Sequence, residues 1–185
     1  MANPLILRTE RLLLRPPLPH DAPQIAARIG VKEVAWNLGR APYPYQLSDA
    51  EDWLETIPKG WAEDTSYVLL MTRPEEGVMG CVGLDLKPMG VWEIGYWLAK
   101  PWWGQGYVTE AAEAVMDWAE TAMSIRQFVS GHFVDNPASG RILEKLGFTP
   151  VGQVHLYGKA CGTESPAIRY TKGTDPDLAL RLAAH

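Results

Sequence analysis

Trp92–Thr109 reads WEIGYWLAKPWWGQGYVT. Its first half is apolar and aromatic (Ile94, Tyr96, Trp97, Leu98) and is closed by Pro101, as expected of a β-strand that ends in a turn. Gly104-Gln105-Gly106 follows as a tight turn. From Val108 onward apolar residues recur at Ala111, Ala112, Val115, Met116 and Ala119, the period of one buried helix face. A strand that hands glycines to a helix start gathers free main-chain N–H groups at the positive end of the helix dipole. Such a turn is an anion site, most often for phosphate.

Spacing narrows the choice of phosphate ligand. No GxxxxGK[ST] run exists in the chain, which excludes a P-loop. A dinucleotide fingerprint GxGxxG would need glycine at Thr109, and the ribose-binding acidic residue after a second strand is also missing. A second signal does stand some thirty residues downstream: Asn136-Pro-Ala-Ser139-Gly-Arg141-Ile-Leu-Glu-Lys145-Leu-Gly147-Phe148.

Together GYWL, WWGQGYVTEA, N-x-x-S…L-x-K-L-G-F and the opening LRTERLLLRP resemble the GNAT family of acetyl-CoA-dependent N-acetyltransferases. More narrowly they resemble its RimJ/RimL-like branch, the ribosomal-protein N-terminal acetyltransferases. The pieces span Leu5 to Lys172 in the family's order. One position departs from the broad family pattern Q/R-x-x-G-x-G/A: Pro101 stands where Gln or Arg is usual. Since main-chain N–H groups hold most of a diphosphate, this loss leaves the binding principle intact.

Composition bounds the remaining classes. The 185 residues suit one domain with a full core, and 46% hydrophobic with 21% charged residues is ordinary for a soluble globular protein. A net charge of −5 excludes the basic face of a general nucleic-acid binder and is compatible with a cationic amine substrate. Eight tryptophans suit a core, a ligand cleft or a subunit interface alike, so a homodimer is allowed and not required. Cys81 and Cys161 have no partner spacing and are expected to be reduced thiols. His20, His132, His155 and His185 are scattered, so no metal is expected. Neither a signal-type N-terminus nor an 18-residue apolar run is visible, which predicts a cytoplasmic protein without a membrane span.

Taken in order, LILRTERLLLR (Leu5–Arg15) predicts a first strand with a bend at Arg8–Glu10. Pro19–Gly30 predicts a short amphipathic helix, and Val31–Leu47 an ordered loop rich in proline and aromatic residues. Ser48-Asp-Ala-Glu51 reads as a capping box opening a helix from Asp49 to about Glu63, bent or broken by Pro58. Strands are expected at Ser66–Thr72, Val78–Leu86 and Val91–Leu98, joined as a meander by RPEEG and KPMG. After the Gly106–Met123 helix come a strand at Gln127–Val134 and a helix capped by Asn136-Pro137 and ended by Gly147. Closing strands follow at Thr149–Tyr157 and Ser165–Thr171. The expected division is a single acetyltransferase domain over 1–173 and a tail over 174–185 that docks or frays. The fold class is α/β (α+β): a mixed, mostly antiparallel, twisted sheet, splayed at its fourth strand, with helices on both faces.

Acetyl transfer to an amine needs an oriented donor, a deprotonated amine, a donor to the developing oxyanion, and a proton or hydrogen bond for the leaving thiolate. The resemblance implies acetyl-CoA as the donor. Trp103, Gly104, Gln105, Gly106, Tyr107, Val108 and Thr109 would then cradle its diphosphate through the main chain. Tyr96, Trp97 and Leu98 would pair with the pantetheine amides, with Gly95 allowing a bulge, and an N–H near Trp97 or Leu98 is the candidate oxyanion donor. Glu93, two residues before that bulge, is the candidate base, acting directly or through water; the alternative is a solvated strand carboxylate. Glu110, fourth residue of the helix, more readily complements the helix dipole.

The same resemblance carries Asn136 to the pantetheine and Ser139 to the leaving sulfur. Tyr157 and Tyr170 are further candidates for the acid that other branches place on a tyrosine. Arg141 and Lys145 would meet the nucleotide phosphate or be exposed helix cations. Trp36, Tyr43 and Tyr45 would wall the acceptor end of the site or plug the core. The acceptor implied is a protein or peptide N-terminal α-amine. The alternatives are a small amine (a polyamine, an aminoglycoside or an amino-acid derivative) and a non-catalytic acyl-CoA-binding regulatory role.

Overall fold

The computed structural model of the protein describes residues 5–182. The ends of the expected domain and tail, 1–4 and 183–185, lie outside the described residues. Strands β1 (Leu7–Arg8), β2 (Leu13–Arg15), β3 (Ser66–Arg73), β4 (Gly77–Leu86), β5 (Trp92–Leu98), β6 (Phe128–Phe133), β7 (Thr149–Gly158) and β8 (Thr163–Lys172) form one sheet. Their order is β1-β2-β3-β4-β5-β6-β8-β7. Every neighbouring pair is antiparallel except β5 with β6, which run parallel.

Helices cover both faces. The alternation of side chains along β3, β4 and β5 decides which apolar set meets which helix. On one face Leu69, Met71, Leu84 and Ile94 pack under α4 (Tyr107–Ala122), with Leu143 and Leu146 from α5 (Pro137–Lys145) and its C-terminal end. On the other, Val68, Leu70, Val78 and Trp97 pack against α1 (Ala22–Ile29), α2 (Lys32–Ala35) and α3 (Leu47–Ala62). The C-terminal helix α6 (Pro176–Arg181) docks on this second face, with Ala179 buried against Val91 and Val129. Several of the tryptophans belong to the core: Trp92 stacks on Tyr67, while Trp61 and Trp118 meet the same ring edge-on. Among the described residues no helix is long and apolar enough to cross a membrane.

Four local expectations are corrected. The N-terminal segment does not merely bend at Arg8–Glu10. It reverses, and Leu7 and Arg8 of β1 face Leu14 and Leu13 of β2 in an antiparallel hairpin. The loop before α3 contains the single-turn helix α2. The cap of α3 is two residues earlier than Ser48: the Gln46 N–H donates to Asp49 Oδ2 at 2.7 Å, so Asp49 acts as the third helical residue. Of the bend or break expected at Pro58 the break does not occur: Pro58 lies inside α3 on its exposed side, where the carbonyl it releases one turn back can be hydrated.

The feature that positions the site is the fork between β5 and β6. These strands pair only at Trp92–Phe128 and Glu93–Val129. The Ser130 hydroxyl then donates to the Ile94 carbonyl at 2.8 Å, and past that point the strands part. The bulge expected at Gly95 is absent: β5 keeps register with β4 from Trp92–Leu86 to Leu98–Gly80. The splay therefore comes from β6 leaving β5 while it stays paired with β8. The β6-facing edge of β5 is open from Gly95 to Leu98.

Candidate active site

The turn after β5 begins with a single 3-10 turn, Lys100–Trp102. The Trp103 indole N–H donates back to the Leu98 carbonyl at 2.6 Å, which ties the turn to the end of the strand. Gly104 and Gly106 both take positive φ (75° and 81°), a region that L side chains adopt only with strain, and Gly106 is the N-cap of α4. The outcome is a row of free donors. Among the described residues, the N–H groups of Gly104, Gln105, Gly106, Tyr107, Val108 and Thr109 have no main-chain or side-chain acceptor. They stand at the positive end of a 16-residue helix, so an anion with several oxygens is the ligand they suit. The side chains of Tyr107 and Val108 point into the core, which leaves the anion to the main chain.

Across the fork, Asn136 caps α5: its side chain accepts from the Ser139 N–H at 3.4 Å. Ser139 is 9% exposed, and its hydroxyl lies 2.9 Å from the Tyr96 hydroxyl of β5. Tyr96 is also 3.2 Å from the Ser139 carbonyl. Burial is the main influence on Tyr96 and pushes its pKa up to about 12 against the opposing bond to Ser139, so the phenol keeps its proton near neutrality. Helix α5 comes close to β6 here. A Cβ on Gly140 would stand 2.6 Å from His132 Nε2 and 3.1 Å from the Tyr170 hydroxyl.

Glu93 points to the opposite face of the sheet, the face on which α6 docks. Its Oε1 accepts from Arg169 Nη1 at 2.5 Å and its Oε2 pairs with Lys87 Nζ at 2.8 Å. Arg40 reaches within 3.8 Å of Glu93 and holds Asp85 at 2.9 Å. Arg169 is 2% exposed and is anchored in turn by its Nε donating to the Ala179 carbonyl of α6. Burial raises the Glu93 pKa, yet Arg169 and Lys87 outweigh it and hold the carboxyl below its usual range. Three cations thus surround two carboxylates.

Residues 11–149 match the family model described as an acetyltransferase (GNAT) domain. The chain belongs to the GNAT acetyltransferases. It is 29% identical over 160 residues, 84% of this chain and 89% of the relative, to the uncharacterized N-acetyltransferase p20 of Bacillus licheniformis. It is 26% identical over 126 residues, 63% of this chain and 68% of the relative, to the ribosomal-protein-serine acetyltransferase of Escherichia coli (strain K12). Its fold matches that of the RimL ribosomal L7/L12 alpha-N-protein acetyltransferase in complex with coenzyme A. That match has a TM-score of 0.80 and 21% identity, covering 90% of this chain and 97% of the other.

Set in the GNAT frame, the residues singled out from sequence fall into three groups. Gly106, Thr109 and Lys145 line an open cleft at the α4 N-terminus, while Asn136 and Ser139 open α5, where Ser139 meets Tyr96 of β5. The side chains of Trp97 and Leu98 are buried. Glu93 and the aromatic loop lie on the other face. There Trp36 and Tyr43 are exposed and meet edge-on at 6.1 Å, whereas Tyr45 turns inward against the α1–α3 core. Arg141 is exposed on α5, and no ion pair engages it or Lys145 among the described residues. Tyr157 is exposed near the β7–β8 turn, and Tyr170 is buried beside Gly140. Among the described residues no group of three or more His, Cys, Asp or Glu could hold a metal.

Sequence reasoning missed three partners. Tyr96 was expected to act through its main chain, and its hydroxyl bond to Ser139 joins residues 43 apart. Arg169 and Arg11 escaped notice because their carboxylate partners lie 76 and 99 positions away. For Arg11 a signal did exist, since it belongs to the LRTERLLLRP stretch.

Proposed function

We propose that the protein transfers an acetyl group from acetyl-CoA directly to the α-amine at the N-terminus of a protein or peptide. Acetyl-CoA supplies the acetyl group as an activated thioester. The free N–H groups from Gly104 to Thr109 bind its diphosphate, and Lys145 faces the nucleotide phosphate. The open edge of β5 pairs with the pantetheine amides, and an N–H near Trp97 or Leu98 donates to the carbonyl oxygen as charge develops there. The Ser139 hydroxyl, held 2.9 Å from that of Tyr96, donates a hydrogen bond to the departing sulfur. The acceptor enters from the other face, past Trp36 and Tyr43.

The observation that carries the choice of acceptor is the clamp on Glu93. A carboxylate held by Arg169 and Lys87 has a depressed proton affinity and is a poor base for a lysine-type ammonium with a pKa of about 10.4. An α-amine, with a pKa of about 8, is already partly neutral at physiological pH. Glu93 takes the remaining proton through water. The unpaired thiols Cys81 and Cys161 support a reducing, cytoplasmic setting.

The test incubates purified protein with isotopically labelled acetyl-CoA and a cell extract, separates the products by size, and locates the label by mass spectrometry. Label on protein N-termini is expected. Label confined to the small-molecule pool would replace the α-amine acceptor with a metabolite amine, and no transfer despite coenzyme A binding would replace catalysis with acyl-CoA sensing.

A further inference from the structure

The opening stretch LRTERLLLRP has no part in the chemistry above, yet it reaches the anion turn. The β1–β2 hairpin brings its tip against the first turn of α4. Glu110 Oε1 accepts from the Thr9 hydroxyl at 2.5 Å and from the Arg11 N–H at 2.8 Å. Glu110 Oε2 accepts from Arg11 Nε at 2.6 Å, and Arg11 Nη1 donates to the Gln105 carbonyl at 2.8 Å. The guanidinium stacks 4.4 Å from the centre of the Tyr107 ring. Only Nη2 is left: it makes no hydrogen bond among the described residues and stands 3.4 Å from where a Cβ on Gly106 would be.

The charge around this cleft makes the free nitrogen informative. Glu10, Glu110 and Glu113 line it along with Thr109 and Lys145. Three carboxylates beside a helix N-terminus would compete with an incoming phosphate for the same positive field. Arg11 covers one of them, Glu110, on the side toward the turn. It also holds the Gln105 carbonyl, a group that would repel an anion if it swung inward. The position where other family members carry a Gln or Arg side chain is occupied by Pro101, an exposed residue of the 3-10 turn with no side-chain donor. The cradle therefore lacks its usual side-chain donor.

We propose that Arg11 is a donor-binding residue that reaches the diphosphate of the acyl-CoA from the N-terminal hairpin and takes the place of the side chain missing at Pro101. The planar fork of arginine allows this double engagement, with Nε and Nη1 spent on Glu110 and Gln105 and Nη2 on the ligand. This assignment rests on acetyl-CoA being the donor, and not on which amine accepts.

Titration calorimetry of coenzyme A against the full chain tests it without any acceptor. Arg11→Met keeps the stem over Tyr107 and is expected to weaken coenzyme A binding at least tenfold. Arg11→Lys, a milder change that keeps the charge, should recover part of that loss. The loss should be equal for 3′-dephospho-coenzyme A, which retains the diphosphate. Arg11→Met combined with Glu110→Gln should recover only part of the affinity. Binding within twofold of wild type in Arg11→Met would overturn the proposal. So would full recovery in the double variant, because Arg11 would then act only by masking Glu110. A loss that vanishes with 3′-dephospho-coenzyme A would overturn the diphosphate assignment. A wild-type protein that binds no coenzyme A would overturn the donor assignment as well, which separates the two failures.

Discussion

The Tyr96 hydroxyl lies 2.9 Å from Ser139 Oγ, joining β5 to the first turn of α5 across the fork in the sheet. Burial pushes the Tyr96 pKa up to about 12, so the phenol keeps its proton near neutrality and its hydroxyl holds the serine hydroxyl in place. Tyr96→Phe is expected to lower kcat roughly tenfold, the value of one hydrogen bond of about 1.4 kcal/mol, with little change in KM for acetyl-CoA. Ser139→Ala should cost more, about a hundredfold, if the serine proton meets the leaving sulfur. Steady-state kinetics decides this, and unchanged kcat in both variants would remove the pair from the reaction.

Glu93→Gln removes the negative centre of the Arg169–Lys87–Arg40 cluster while keeping its shape. Coenzyme A binding should be retained, since Glu93 lies on the face opposite Tyr96 and Ser139. Acetyl transfer should fall more than about tenfold and its pH profile should move to higher pH, because the acceptor must then shed its proton to bulk water. A pH–rate profile matching wild type would assign Glu93 to structure alone.

The Arg15–Asp21 pair makes acid stability testable. Burial raises the Asp21 pKa, but two bonds from Arg15 at 2.7 and 2.8 Å and one from the Leu18 N–H outweigh it, so the folded value lies below the ordinary 3.8. A group depressed in the folded state contributes stability above its unfolded pKa and loses it as the pH falls through the folded value. Thermal melts should therefore drop more steeply below about pH 4 for wild type than for Asp21→Asn. At neutral pH that variant should already be less stable by on the order of 3 kcal/mol. Parallel melting curves for the two proteins would count against the pair.

Gly140 separates packing from chemistry. A Cβ at this position would crowd His132 and Tyr170, so Gly140→Ala should force α5 outward and destabilise the fold by about 1–3 kcal/mol. Since Ser139 is the preceding residue, kcat should fall together with the melting temperature. A stable, fully active Gly140→Ala protein would show that α5 has room that the geometry denies.

Much of this architecture is legible in the chain because it repeats with a local period. The Val108–Ala119 stripe becomes the buried face of α4, and Asn136-Pro137 opens α5 as expected. The strands of the meander lie within a residue or two of their expected ends. What escaped depends on meetings between distant segments. Nothing near Glu93 foretells Arg169, which β8 delivers only after pairing with β6. Nothing in GYWL says that the Tyr96 hydroxyl will find Ser139. The N-terminal reversal was hidden because LILRTERLLLR has strand-forming residues on both sides of its turn and no glycine or proline between them. Gly95 suggested a bulge because a strand glycine often marks one, whereas Ser130 and the departure of β6 open the sheet.

The most direct measurement offers the purified protein acetyl-CoA and synthetic peptides that each carry a free α-amine and an internal lysine. Tandem mass spectrometry then locates the added acetyl group across pH 6 to 9. Acetylation is expected at the α-amine alone, with a rate that rises as that amine loses its proton near pH 8. Acetylation of the lysine side chain at a comparable rate would contradict this expectation, because the clamped Glu93 could not then be what limits the choice of amine.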